Sequence, residues 1–198
     1  MSDPLITAMT TEHFVLQSAA GTATSEESAR ASLYVMALSS TLVAMGFTVQ
    51  TPAFAPLAAI TLPVLVLLGL FTIARLVDTG LQTIHLRTAI ARIRAYYRRL
   101  SPDAPEHIPA WGTDAATEAM STLTVTGRRD WQVGLVTIAT MIATINSVVT
   151  GAGITLLVLV LADSLAVALV AGIVLGLAHL AGFLLYQRRR YRNRPTPS

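Results

Sequence analysis

Long apolar stretches alternate with polar, arginine-bearing stretches along this chain. The most apolar stretch covers residues 57–77, and helical spacing continues beyond it to residue 100 while the sequence fills with arginine. Gly80 is the one weak interruption. The pattern predicts a single helix over 57–100. At about 1.5 Å per residue it would be about 65 Å long, roughly twice the hydrocarbon core of a bilayer.

Three more apolar stretches are long enough to cross a bilayer. Residues 31–48 form one of them, and residues 131–186 are too long for a single span and are predicted to form two. The segment 131–186 contains one charged residue, Asp163. Because a carboxylate at the bilayer centre is costly, Asp163 is expected in the turn between the two spans, at 161–165. The glycine-containing segment 151–153 is the alternative turn.

These stretches predict an all-α, polytopic membrane protein with four transmembrane helices, arranged as two hairpins with a small helical cytoplasmic layer. The predicted segments are an N-terminal helical segment (1–30), hairpin 1 (31–77), an arginine-rich helix with a proline loop and short helix (78–130), hairpin 2 (131–186) and a basic tail (187–198). Asp114 is expected to cap the short helix. Two alternatives are open at the N-terminus: a helix continuous with the first span, or a break near Gly21 followed by a capping box at Thr24 and Glu27.

Composition agrees with membrane residence. The mean hydropathy is +0.60 and charged residues make up 13% of the chain, against about 25% in soluble domains. All 14 basic residues are arginine, a bias typical of GC-rich bacteria, and none lies in the stretches predicted to face outward. The positive-inside rule therefore predicts a bacterial cytoplasmic membrane protein with both termini in the cytoplasm. The same rule explains the number of arginines, so binding to nucleic acid is not predicted.

The last predicted span is followed at once by a cluster of arginines. Such clusters bind anionic lipid head groups at about 1 kcal/mol per residue. The predicted lipid contacts are Arg188, Arg189, Arg190, Arg192 and Arg194.

Small residues recur at every fourth position in the third and fourth spans, which lets helix backbones approach closely. The predicted helix-packing residues are Ala139, Ala143, Ser147, Gly151, Ala168, Gly172 and Gly176. Packing of the two spans within one chain is the favoured interpretation, and a seam in a homo-oligomer is the other.

The arginine-rich helix also carries an apolar seam with alternating spacings of four and three residues, typical of a coiled coil. Its residues are Leu86, Ile90, Ile93, Tyr97 and Leu100. The seam requires a partner, which is the N-terminal helix, the short helix or a second copy of the chain.

Two polar residues lie within the predicted spans, Asn146 and His179. They could line a pore or coordinate an ion, but a hydrogen bond between helices is the favoured interpretation. The chain has no cysteine, which excludes disulfides and thiolate chemistry. It also contains no phosphate-binding, dinucleotide or hydrolase motif, so no enzyme activity, cofactor or metal is predicted.

Several segments are similar to a group of uncharacterised integral membrane proteins from actinobacteria. The segments are EHFVLQSA, SARASLYVMALSSTLVAMGF, LPVLVLLGLFTIARLVDT, IARIRAYYR and MIATINSVVTGAG. The resemblance implies the same four-span layout but no activity and no site residue. The first half also resembles, more loosely, the small membrane effectors of bacterial antiphage signalling systems, which are thought to perturb the membrane.

Three functions follow from these observations as hypotheses. The first is a non-enzymatic structural or accessory membrane protein, oligomeric if the seam joins two copies. The second is a channel-like or membrane-perturbing effector gated through the cytoplasmic helices. The third is a small transporter.

Overall fold

The computed structural model describes residues 4–122 and 137–192, and every regular element in these residues is a helix. The helices are α1 (Pro4–Thr48), α2 (Phe54–Tyr97), α3 (Ala104–His107), α4 (Ala115–Ser121), α5 (Ile138–Ala162) and α6 (Leu165–Arg192). Four of them, α1, α2, α5 and α6, are long and apolar enough to cross a membrane. The all-α prediction is therefore confirmed, and the four long helices are compatible with the predicted multi-pass membrane protein.

The first helix is continuous through the position where a break was one alternative. The hydroxyl of Thr24 donates to the carbonyl of Ala20 at 3.0 Å, as a threonine inside a helix does, instead of capping a new helix. Among the described residues, no atom outside the local helix lies within 4 Å of a Cβ built at Gly21. The alternative with a break near Gly21 and a fresh start at Thr24 is wrong, because α1 runs without interruption from Pro4 to Thr48.

The second helix joins the apolar and arginine-rich stretches in one element. It begins at Phe54, slightly before the predicted start at residue 57, and ends at Tyr97 instead of residue 100. Gly80 lies inside it, as does Pro63. The proline loop that follows contains the short helix α3, which the sequence analysis did not predict, and Asp114 caps α4 as expected.

The turn between α5 and α6 lies at Asp163. Asp163 ends α5 in the left-handed conformation, with φ of 47°, and its N–H donates to the carbonyl of Leu159 at 3.1 Å. Asp and Asn adopt this conformation more readily than other residues with a side chain. The alternative turn at 151–153 is wrong, since those residues lie inside α5.

Helices α5 and α6 pack closely through small residues. A Cβ on Gly151 would lie 2.8 Å from the carbonyl oxygen of Gly172, and one on Gly176 would lie 3.0 Å from that of Ser147. The pairs run in opposite order along the two helices, so the helices are antiparallel. Further buried residues on these faces are Ala139, Ala143 and Ala168. The two small-residue faces therefore meet within one chain.

The chain forms two compact units. The first unit comprises Met1–Glu27 and Asp78–Val133, and the second comprises Ser28–Val77 and Gly134–Ser198. The described part of the first unit contains α3, α4, residues 4–27 of α1 and residues 78–97 of α2. The second contains α5, α6 and the remaining portions of α1 and α2.

In the first unit, α1 has a buried face that the sequence analysis did not predict. Its spacing alternates between four and three residues, as in a coiled coil. The residues, all buried or partly buried, are Met9, His13, Leu16, Ala20, Ala23 and Glu27. The face meets α2, because Thr10 and Tyr97 share a hydrogen bond of 3.3 Å and the rings of His13 and Tyr97 lie 6.3 Å apart.

The face of α2 that is buried in the first unit differs in part from the predicted seam. Of the predicted residues, Ile93 is buried and Leu86, Ile90 and Tyr97 are partly buried. Leu100 is 49% exposed and follows the end of the helix, so the seam does not extend to it. The other residues buried here are Thr79, Thr83, Ile84 and Ala91.

Candidate functional site

The centre of the second unit contains a buried polar side chain, Asn146 of α5, which is 0% exposed. A buried amide without partners costs several kcal/mol in an apolar environment. The folded chain therefore has to supply hydrogen bonds to both ends of this carboxamide. We call the group formed by Tyr34, Val66, Asn146 and His179 the amide cluster.

Three helices contact this carboxamide in addition to its own. From α1, the hydroxyl of Tyr34 donates to Asn146 Oδ1 at 3.1 Å. Asn146 Nδ2 donates to the carbonyl of Val66 in α2 at 3.4 Å and lies 3.5 Å from His179 Nε2 in α6. One side chain thus connects all four long helices of the second unit.

A glycine makes room for the carboxamide. A Cβ built at Gly69 would overlap the oxygen and the carbon of the Asn146 carboxamide and lie 2.8 Å from its nitrogen. Any larger residue at position 69 has to displace Asn146. Gly69 therefore makes the amide cluster possible without belonging to it.

The contact between Asn146 and His179 is compatible with one tautomer of the ring. If Nδ2 of Asn146 donates to His179 Nε2, the ring proton lies on Nδ1. The contacts of 3.4 and 3.5 Å are long for hydrogen bonds, so the bond from Tyr34 is the strongest of the three. Asn146 has no titratable group and separates Tyr34 from His179. The cluster is suited to holding helices together and poorly suited to passing protons.

The structure brings together the two residues predicted as an intramembrane polar pair, Asn146 and His179, at the limit of hydrogen-bond distance. The roles of Tyr34, Val66 and Gly69 were not predictable from the apolar pattern of the spans. The signal that could have found Tyr34 is the need of a buried amide oxygen for a donor from another helix.

A second group of polar contacts lies in the first unit, around Glu118 of α4. This side chain is 3% exposed. Arg98 donates to both of its oxygens, with distances of 2.7 and 3.1 Å, and Arg94 Nε forms an ion pair with Oε1 at 3.1 Å. The hydrogen bond to Glu118 raises the pKa of Arg98, so the guanidinium stays charged. Bidentate arginine–carboxylate contacts are among the stronger polar contacts in proteins.

The same arginines fasten the chain that precedes α4. Arg94 donates to the carbonyl of Pro109 at 3.2 Å, and its guanidinium carbon lies 4.6 Å from the centre of the Trp111 ring. Seven residues before Arg94 in α2, Arg87 donates to the hydroxyl of Thr122 at 3.1 Å. We call residues 108–122 the strap, since arginines of α2 hold it at both ends.

Local features shape the strap. Asp114 Oδ1 accepts a hydrogen bond of 2.8 Å from the N–H of Thr117, which caps α4 and lowers the pKa of the Asp114 carboxyl. A Cβ at Gly112 would overlap the backbone nitrogen of Glu118 and lie 2.7 Å from the carbonyl carbon of Thr117. A glycine at 112 is therefore needed for the loop to lie directly against the first turn of α4.

The predicted lipid contacts lie at the end of α6. Arg188, Arg189, Arg190 and Arg192 are exposed there, and Arg194 lies outside the described residues. The predicted start of hairpin 2 at residue 131 also lies outside them. In residues 4–122 and 137–192, no group of His, Asp and Glu side chains is placed to hold a metal ion.

Comparison with known proteins adds nothing to these observations: no family model, curated protein or solved structure matches the chain. The amide cluster and the strap are therefore interpreted from their geometry alone.

Proposed function

We propose that this chain is an integral membrane protein of the bacterial cytoplasmic membrane with a structural or accessory, non-enzymatic role. The observation that carries the proposal is the amide cluster. The oxygen and the nitrogen of the Asn146 carboxamide contact groups from α1, α2 and α6, so both polar atoms of this side chain connect helices. Contacts of this kind stabilise a membrane bundle without requiring a substrate.

The proposed layout has two transmembrane hairpins, 31–77 and 131–186, and a cytoplasmic helical layer. The absence of arginine from the segments between paired spans supports cytoplasmic termini. The exposed arginines at the end of α6 are proposed to contact anionic lipid head groups. Binding of the purified protein to anionic and zwitterionic lipids, compared for the wild type and a variant with Arg188, Arg189 and Arg190 changed to Gln, tests this contact.

Ion flux through reconstituted liposomes tests the structural role most simply. We expect no flux above that of empty liposomes at any voltage, because the carboxamide of Asn146 is fully buried and bonded to neighbouring helices. A reproducible conductance from the wild type contradicts the structural proposal. Crosslinking in mild detergent tests the oligomeric interpretation, and a strict monomer removes it.

The second candidate function is a channel-like effector gated through the first unit. The observation that favours it is the strap, because its polar attachment through Arg87, Arg94 and Arg98 can be released by a competing charge. A conductance that appears only in Glu118→Gln, and not in the wild type, supports this candidate over the first.

A further inference from the structure

The strap is attached to a single face of α2 by arginine side chains. Arg87, Arg94 and Arg98 are seven and four residues apart, which places them on one stripe of the helix. They contact Thr122, the carbonyl of Pro109, the ring of Trp111 and both oxygens of Glu118. The described polar attachment of the strap to α2 therefore depends on positive charge.

The helix inside the strap, α4, contributes little stability of its own. Helix α4 has seven residues, and isolated helices shorter than about 12 residues are marginal in water. Its fully buried residues are Glu118 and Ala119, and Ala115, Met120 and Ser121 are partly buried. The contact between Glu118 and the two arginines therefore contributes directly to the position of α4.

The charges at this contact do not balance. Two guanidinium groups, Arg94 and Arg98, surround one carboxylate, which leaves a local excess of one positive charge. The planar fork of a guanidinium binds carboxylate and phosphate oxygens equally well in geometry. A phosphate group offers an additional oxygen and more negative charge than Glu118 does.

We propose that Arg94 and Arg98 form a binding site for a phosphate group, and that Glu118 is its internal occupant. A phosphate-bearing ligand displaces the carboxylate, and the strap then leaves α2. The ligand is either a lipid phosphate or a soluble phosphate compound, since both present the same oxygens. This inference goes beyond the proposed structural role and does not depend on it.

Trp111 reports directly on the strap because its ring lies against Arg94. The chain has two tryptophans, so Trp131→Phe leaves Trp111 as the single fluorophore. The full-length chain in nanodiscs of zwitterionic lipid is titrated with pyrophosphate, and Trp111 emission is recorded. A second preparation uses nanodiscs containing phosphatidylglycerol without pyrophosphate. Response to pyrophosphate identifies a soluble ligand, and a shifted emission in the anionic nanodiscs identifies a lipid head group.

Three variants separate a binding site from a purely structural ion pair. Glu118→Gln removes the competing charge and should bind pyrophosphate about tenfold more tightly than the wild type, equivalent to about 1.4 kcal/mol. Arg98→Gln should abolish the response. Arg99→Gln is the matched control, because this neighbouring arginine is exposed, and it should respond as the wild type does.

Two results overturn the proposed phosphate site. One is a wild type whose Trp111 emission is the same in both lipids and unchanged by pyrophosphate. The other is an equal response in Arg98→Gln and Arg99→Gln. The comparison of these two arginine variants decides the question even if circular dichroism shows that Glu118→Gln loses helix. If Glu118→Gln folds and binds pyrophosphate no more tightly than the wild type, Glu118 is not the competing occupant.

Discussion

Replacing Gly69 with alanine should disrupt the amide cluster, whereas the same change at Gly46 should not. Both glycines lie inside long helices, α2 and α1. A Cβ at Gly69 would overlap the carboxamide of Asn146, but one at Gly46 would meet no atom of residues 4–122 or 137–192 within 4 Å. The pair of variants therefore isolates the effect of moving Asn146 from the general effect of alanine on a helix.

The expected magnitude follows from two opposing contributions. Alanine favours a helix over glycine by about 0.8–1.0 kcal/mol, and this gain applies to both variants. Displacing Asn146 breaks its contact with Tyr34 and leaves buried polar groups without partners, at a cost of about 1–3 kcal/mol. Gly69→Ala should therefore be about 1–3 kcal/mol less stable than Gly46→Ala.

Reversible unfolding of the purified variants in bicelles measures this difference. The double variant Gly69→Ala/Asn146→Ala supplies the coupling, because the alanine at 69 meets no carboxamide in that background. The coupling energy should be about 1–3 kcal/mol, within the range for residues in contact. Equal stabilities of Gly69→Ala and Gly46→Ala, or a coupling energy of zero, would refute the role assigned to the amide cluster.

Three further predictions concern the first unit. Gly112→Ala should speed amide exchange in α4, since its Cβ would overlap the backbone of that helix, whereas Gly21→Ala, with nothing within 4 Å, should leave exchange there unchanged. Because the N–H of Thr117 lowers the pKa of Asp114, the cap contributes stability above the ordinary pKa of an aspartate and loses it as pH falls through the lowered value. Amide exchange at Thr117 should therefore accelerate on acidification, and Asp114→Ala should remove that dependence. Burial raises the pKa of Glu27, so the first unit should gain stability as pH falls through the raised value, and thermal unfolding of Glu27→Gln should lack this gain.

The four long helices and the turn at Asp163 could be predicted from the sequence because both depend on large desolvation energies. A charge inside a span is costly enough that one aspartate in an apolar segment identifies the turn. Whether the helix breaks at Gly21 could not be predicted in this way. A capping box is a local signal of about 1 kcal/mol, and the surrounding helix overrides it.

Contacts between helices were predicted less completely because they depend on how each helix is rotated about its axis. Asn146 and His179 stood out as polar residues in apolar spans, but Tyr34 and Gly69 resemble ordinary residues of such spans. The buried face of α1 in the first unit was missed for a related reason. It includes His13, Ala20 and Glu27, whose small or polar side chains do not form an apolar pattern.

The strap shows the same limit for ion pairs. Arg98 and Glu118 are 20 residues apart, with the proline loop between them. The sequence indicated an arginine-covered helix and a short helix capped by Asp114, but charge spacing alone does not pair residues across a loop of this length. The structure was needed to show that Arg94 and Arg98 share one carboxylate.

The central claim is that four apolar stretches lie in lipid and that the arginines lie together on the cytoplasmic side. The chain has no cysteine, so single cysteines can be introduced at Ala53, Arg99 and Arg190 without background. Intact cells are then treated with a membrane-impermeant maleimide. The account predicts that the cysteine at 53 reacts and that those at 99 and 190 react only after lysis. Labelling at 99 or 190 in intact cells, with none at 53, would contradict it.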